Sequence, residues 1–273
     1  CEENTSTPET NPAVTVPHGF NFEVPASATS VVDPVPLVEM GRFNHEAVAV
    51  DPTTGIVYET EDAGDGLFYR FIPNQPGNLR AGGVLEALRI IDIPQALTGS
   101  DFPVGVPYAV DWVRIEDFNP VEDTVRIEGF EKGAAQFVRG EGAFYAKGEV
   151  YFVCTSGGAS GEGQVWRYIP GATAEEGGTI ELFVEPNNAN VLDNPDNIVV
   201  APFGDLFLCE DGDATQFVVG VTPQGELYQF ARNAVNDNEF AGATFSPDGK
   251  TMFVNIQTPG YTFAISGPWN SRG

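Results

Sequence analysis

The chain has 273 residues, with 39 Asp and Glu against 13 Lys and Arg, a formal net charge of −26. So acidic a surface argues against nucleic acid and anionic membranes as partners, and no apolar run is long enough to span a bilayer as a helix. Only 3 cysteines, far apart, and 2 histidines are present, which excludes zinc fingers, dense disulfide frames and histidine-rich zinc or copper sites; a metal here must be held by oxygen, which suits hard cations such as calcium.

The 31 Gly, 21 Pro and 20 Phe point to many short strands joined by tight turns, and the length suffices for one large all-β domain over 1–273. In chain order, "HGFNFEVP" (18–25) reads as part of a first unit. The stretch "GRFNHEAVAVDPTTGIVYETEDAGDGLFYRFIP" (41–73) follows. Its period predicts a strand from Glu46, a turn at 52–55, a strand through Tyr58, and an aromatic strand over 67–71. Glu61 and Asp62 close the second of these strands. "PYAVDWVRIED" (107–117) predicts one strand of a further unit. Three more stretches, 141–170, 196–230 and 239–265, repeat the opening pattern: an acid, apolar alternation, a glycine turn and an aromatic-rich return.

The acids that open these units are Glu46, Glu141, Asp196 and Glu239. The last two intervals are 55 and 43 residues, and the first, 95, holds two units. Units of roughly 40 to 50 residues with three or four antiparallel strands predict a β-propeller, of about six blades. The innermost strand of each blade lines the central channel, so a carboxylate at the same strand phase in several blades gathers several carboxylates around one axis. Such a set cannot stay ionised without counter-cations. For any single acid, capping a turn is the plainer reading; four at one phase favour metal.

With that repeat in view, the chain resembles the PhoX-type alkaline phosphatases. The stretches that carry the resemblance are "CEEN" (1–4), "HGFNFEVP" (18–25), "MGRFNHEAVAVDP" (40–52), "ETED" (59–62), "VRGEG" (138–142), "DNPDNIVVAPFGDLFLCEDG" (193–212) and "EFAGATFSPDGKTMFVNIQTPG" (239–260). The S-P-D-G turn is common among propellers, whereas "GRFNHEA", R-x-E and "NIQTPG" in this order are specific. The resemblance implies a metal-dependent phosphomonoester hydrolase with an iron–calcium centre in the propeller channel. It implies metal ligands at Glu3, Glu46, Glu141, Asp196, Asp211 and Glu239, and a phosphate-binding arginine at Arg139. It also implies small phosphate esters as substrates and export to the periplasm or beyond the cell; a monomer is expected. In the family a cysteine of a C-x-G-G motif binds iron upstream of the point where this sequence starts. Cys1 corresponds to a later cysteine, so the propeller is expected to be truncated at its N-terminus, keeping the carboxylate half of the centre.

Other residues have plainer readings. Arg139 could form a strand-end ion pair with Glu141 or Glu131. Adjacent strand residues face opposite ways, so His45 beside Glu46 reads as a structural histidine, or one that supports a neighbouring ligand, rather than as a general acid. Asn44 and Asn197 either support neighbouring ligands or serve turns. Cys154 and Cys209 lie in apolar runs and read as inert packing. "GGASGEG" (157–163) reads as a hairpin loop, since no helix with Lys-Ser/Thr follows to cradle phosphate. A calcium-dependent lactonase or esterase propeller, working with a simpler cation site, and a non-catalytic binding propeller are the alternatives.

Overall fold

The computed structural model describes residues 1–269. Two compact units divide the chain: Cys1–Thr98, Tyr108–Gly140 and Pro170–Thr179 form the first, and Gly99–Pro107, Glu141–Ile169 and Ile180–Gly273 the second. Both are built from consecutive antiparallel strands.

In the first unit β1 (His45–Val50), β2 (Val57–Glu61), β3 (Phe68–Pro73) and β4 (Gly83–Ile90) pair in sequence order. β5 (Tyr108–Arg114), the strand expected over 107–117, pairs antiparallel with β4. The two-residue alternation turns Leu67, Tyr69, Leu85, Ala87 and Val113 to one side, where they pack on Phe43, Ile115, Val125 and Ala134. The only α-helix among the described residues, α1 (Val125–Glu131), contributes Val125 and ends two residues before Gly133. The N-terminal "HGFNFEVP" forms no regular strand; Phe22 makes a single antiparallel bridge to Pro36.

In the second unit β6 (Gly140–Ala146), β7 (Glu149–Cys154), β8 (Gln164–Pro170) and β9 (Gly178–Val184) form one meander. β10 (Pro195–Val200), β11 (Leu206–Glu210), β12 (Phe217–Val221) and β13 (Leu227–Arg232) form a second. β14 (Phe240–Phe245), β15 (Thr251–Ile256) and β16 (Tyr261–Ser266) form a three-stranded third. The 157–163 loop joins β7 to β8 as expected. Layers of alternating apolar side chains separate the sheets, with Val153, Val165, Ile198, Leu208 and Val219 in one and Phe207, Cys209, Phe240, Met252 and Val254 in the next. Cys154 and Cys209 are both buried, Cys209 in the second of these layers, and burial pushes both thiols up, Cys209 to about 12. They are packing residues, as their apolar neighbours predict.

The four-stranded antiparallel meander is the blade of a β-propeller, the fold class the sequence predicts. In the second unit β10–β13 form a four-stranded sheet and β14–β16 a three-stranded one; the spacing of the repeats predicts about six such blades.

Candidate metal and phosphate site

Glu46 and Asp196 occupy the same kind of position in different blades. The register of β1 on β2 runs from His45 opposite Glu61 to Val48 opposite Glu59, so the residues between them, Glu46 and Ala47, form a bulge. On β10 and β11 it runs from Pro195 opposite Glu210 to Ile198 opposite Leu208, which puts Asp196 and Asn197 in a bulge. A bulge breaks strict alternation and re-aims the side chains in it. The β1 bulge is held by Thr60, whose Oγ1 accepts the Ala47 N–H at 3.0 Å.

In the second unit Glu141, on β6, and Asp196 offer carboxylate oxygens within 4.8 Å of one another. Their proximity depends on Gly142: a Cβ there would lie 2.6 Å from the Asp196 carbonyl oxygen and 2.9 Å from the Asn197 Cα. That explains the second glycine of "RGEG". Asn197 donates to Asp196 Oδ1 at 3.3 Å, and its own Oδ1 accepts the Gly242 N–H in the bulge of β14. Glu239, just before β14, interacts with Asp211. Desolvation first, then Asp211 and Asp196, push the Glu239 carboxyl up to about 7. At neutral pH the Glu239 carboxyl therefore keeps part of its proton, or a cation takes the proton's place. Beside Asp211, Glu210 is buried and accepts the Asp193 and Phe217 N–H groups at 3.0 and 2.8 Å; desolvation still raises it to about 7.

In the first unit the two acids of "CEE" behave differently. The Glu2 carboxylate accepts the Gly19 and Phe20 N–H groups at 2.9 and 3.1 Å and contacts His18 Nδ1 at 2.7 Å, so it fastens the N-terminal segment. Glu3 instead lines a cavity of about 670 Å³ with Asn4–Thr7, Glu9, Thr10, Asn44 and Val121–Asp123. Arg42, the arginine of "GRFNHEA", is 2% exposed and donates to the carbonyls of Thr5, Pro120 and Val121, tying down both edges of that cavity. Two acceptors of lining residues, Asn44 Oδ1 and Asp123 Oδ1, are buried and accept no hydrogen bond from a described residue.

His45 is 1% exposed and packs against Phe43, with ring centroids 3.6 Å apart and the planes tilted by 32°. Its Nε2 donates to the Gly41 carbonyl at 3.1 Å, and its Nδ1 faces Asn21 and Glu59 at 3.1 and 3.2 Å. It is the structural histidine that strand alternation predicts.

Arg139 stands directly before β6 with φ +52°, a left-handed conformation uncommon outside glycine. Its N–H donates to the Ala63 carbonyl at 2.9 Å. Its guanidinium grips Asp62 in two contacts, Nε to Oδ1 at 2.7 Å and Nη2 to Oδ2 at 2.9 Å. The plainer reading of this arginine is a strand-end ion pair with Glu141 or Glu131; the structure gives its guanidinium a two-point contact with Asp62. No spacing rule links residues 77 apart, and only the early prominence of "ETED" hinted at it.

Residues 5–260 match the family described as alkaline phosphatase PhoX. Among solved structures, PhoX of Pseudomonas fluorescens, in complex with vanadate, a transition state analogue, is 20% identical with a TM-score of 0.65. The alignment covers 83% of this chain and 50% of that one, so the chain spans about half the length of that relative. At this identity the likeness shows the fold. Virginiamycin B lyase from Staphylococcus aureus (14% identity, 84% of this chain and 71% of that one, TM-score 0.37) and a gluconolactonase from Xanthomonas campestris (12%, 82% and 72%, 0.38) are looser and bear no functional weight. No curated protein matches the chain. With 5–260 matched by one family and an all-β fold of antiparallel blades, the chain belongs to the PhoX alkaline phosphatase family.

Proposed function

We propose that this protein is a metal-dependent phosphomonoester hydrolase. Glu3, Glu46, Glu141, Asp196, Asp211 and Glu239 hold calcium and ferric ions in a channel of a single propeller domain, and Arg139 binds the phosphate. The observation that supports it most is the pairing of acids in the second unit: Glu141 with Asp196 within 4.8 Å, and Glu239 with Asp211, which helps to raise its carboxyl. All six are hard oxygen donors, the set that suits calcium. Glu46 joins them by phase, since it occupies in β1 the bulge position that Asp196 occupies in β10.

When bound, the cations supply positive charge at the phosphoryl oxygens and acidify coordinated water. The protein's own groups do the rest. Arg139 presents a planar fork that matches two phosphoryl oxygens and fixes their orientation. Asn197 holds Asp196 from the side. The cavity beside Glu3 offers carboxylate, amide and hydroxyl groups to the alcohol portion of a small ester. The protein acts as an exported monomer, in the periplasm or outside the cell. Among the described residues no helix is long and apolar enough to cross a membrane.

The test is elemental analysis and phosphomonoester hydrolysis for the full-length protein, Glu141→Gln and Arg139→Ala. Glu141→Gln should lose metal and activity together. Arg139→Ala should keep its metal and lose on the order of 100-fold in rate, the usual cost of removing one transition-state-stabilising donor group. Vanadate, which the Pseudomonas fluorescens protein binds, should inhibit the wild type and inhibit Arg139→Ala far less. Full metal content in Glu141→Gln, or near-full activity in Arg139→Ala, would overturn the assignment.

A further inference from the structure

We infer that Asp62 is the positioning residue for Arg139: it holds the guanidinium in one plane so that the phosphate meets a pre-aimed fork. This rests on the proposed role of Arg139. A guanidinium has two edges able to take a bidentate partner, Nε with Nη2 and Nη1 with Nη2. Asp62 takes the first with both of its oxygens, at 2.7 and 2.9 Å. That contact fixes the plane of the guanidinium and with it the direction of the second edge.

Asp62 is itself anchored. Its N–H donates to the Asn44 carbonyl at 3.0 Å, and the Asn44 side-chain amide donates back to the Asp62 carbonyl at 3.3 Å. Asn44 stands two residues before Glu46, so the mount of the arginine and the start of the β1 bulge share one strap. The arginine's backbone rests on the same turn. Its N–H bonds to Ala63 O, and a Cβ on the following Gly140 would lie 3.3 Å from both the Glu61 carbonyl oxygen and the Thr60 Cβ. The left-handed φ of Arg139 is strained in a non-glycine residue. That strain is met where main chain and side chain are both bound to residues 60–63, which is the signature of a side chain held for a purpose.

The Asp62 side chain is 14% exposed and that of Arg139 45%, so as a surface ion pair the contact contributes little to stability. Its consequence falls on binding. A free arginine surrenders rotamer freedom when it grips phosphate, and one already fixed surrenders less. Asp62 also cancels part of the arginine's charge, so the pair exchanges attraction for direction. Direction matters more where the partner is a phosphoryl group whose geometry must be set.

The experiment is a double-mutant cycle in the full-length protein with Asp62→Asn, Asp62→Ser, Arg139→Ala and each pair. The readouts are phosphomonoester kcat/KM, vanadate binding by calorimetry, melting and metal content. Asp62→Asn and Asp62→Ser should each lower kcat/KM about 10-fold and weaken vanadate to a similar degree, with melting and metal content close to wild type. In the Arg139→Ala background the same changes should have no further effect, because the residue they orient is gone. A structural role for Asp62 would instead lower melting, and would lower kcat/KM by the same factor with or without Arg139. That result, or wild-type kcat/KM and vanadate binding in both Asp62 variants, overturns the inference. Near-full activity in Arg139→Ala alone overturns the role of Arg139 instead, and the inference with it.

Discussion

Glu61, at the end of β2, is fully buried among partners that do not balance its desolvation. Tyr69 Oη and the Leu67 N–H donate to its Oε2 at 2.7 and 3.0 Å, and Arg126 stands 3.5 Å from Oε1. Burial still pushes its carboxyl up to about 7 from an ordinary 4.5. The folded state therefore keeps a proton that the unfolded chain releases between about pH 4.5 and 7. Stability from this group is full below pH 4.5, falls as pH rises through that window, and is lost above 7. The loss is on the order of 3 kcal/mol. Glu61→Gln keeps acceptors for Tyr69 and Leu67 and cannot ionise. The difference in unfolding free energy between wild type and Glu61→Gln, followed by urea titration from pH 4.5 to 8, should move in favour of the variant as pH rises. A pH-independent difference would mean that Glu61 is ionised throughout.

At the scale of the element, the bulge and the close approach of strands place the acids. Gly142 lets the β10 backbone lie against β6, and the Cβ of Gly142→Ala would meet Asp196 O at 2.6 Å. Overpacking of this kind typically costs about 1–3 kcal/mol. The substitution should lower melting and also reduce calcium affinity, since Glu141 and Asp196 are pushed apart. A variant that melts lower but binds calcium as before would separate packing from the site. The aromatic layer on β11 is a second element-scale test. Phe207 is 1% exposed and meets Phe203, Phe230 and Phe245 edge to face. Phe207→Ala should destabilise by about 3–5 kcal/mol, measured by denaturant unfolding, with little effect on metal content per folded molecule.

Over the whole molecule, 39 acids against 13 bases make self-repulsion a standing cost of compactness. Added monovalent salt should raise the melting temperature by screening it. Calcium should raise it further at constant ionic strength, because a cation that binds only the folded state stabilises it by an amount that grows with its concentration. At 100 times its dissociation constant the gain is about 2.7 kcal/mol. For a chain of this size that corresponds to roughly 5–10 °C, removable by chelator. Equal melting with calcium and with excess chelator would leave the acids as surface charge alone.

The strands and their turns were legible in the sequence because both are local. A period of two in apolar residues sets β1–β3 close to their observed bounds and marks strands within 141–170, 196–230 and 239–265, and Gly-rich turns separate them. The acids at Glu46, Glu141, Asp196 and Glu239 were legible as a set because repetition at one strand phase is itself a pattern. The sequence did not show that bulges break the alternation at Glu46 and Asp196, because a bulge depends on the register with a second strand. Nor could it pair Arg139 with Asp62, separate Glu2 from Glu3, or bury Glu59 and Glu61 on β2. Each of those depends on which distant segment the fold brings alongside, and local propensity carries no information about residues that meet only through tertiary packing.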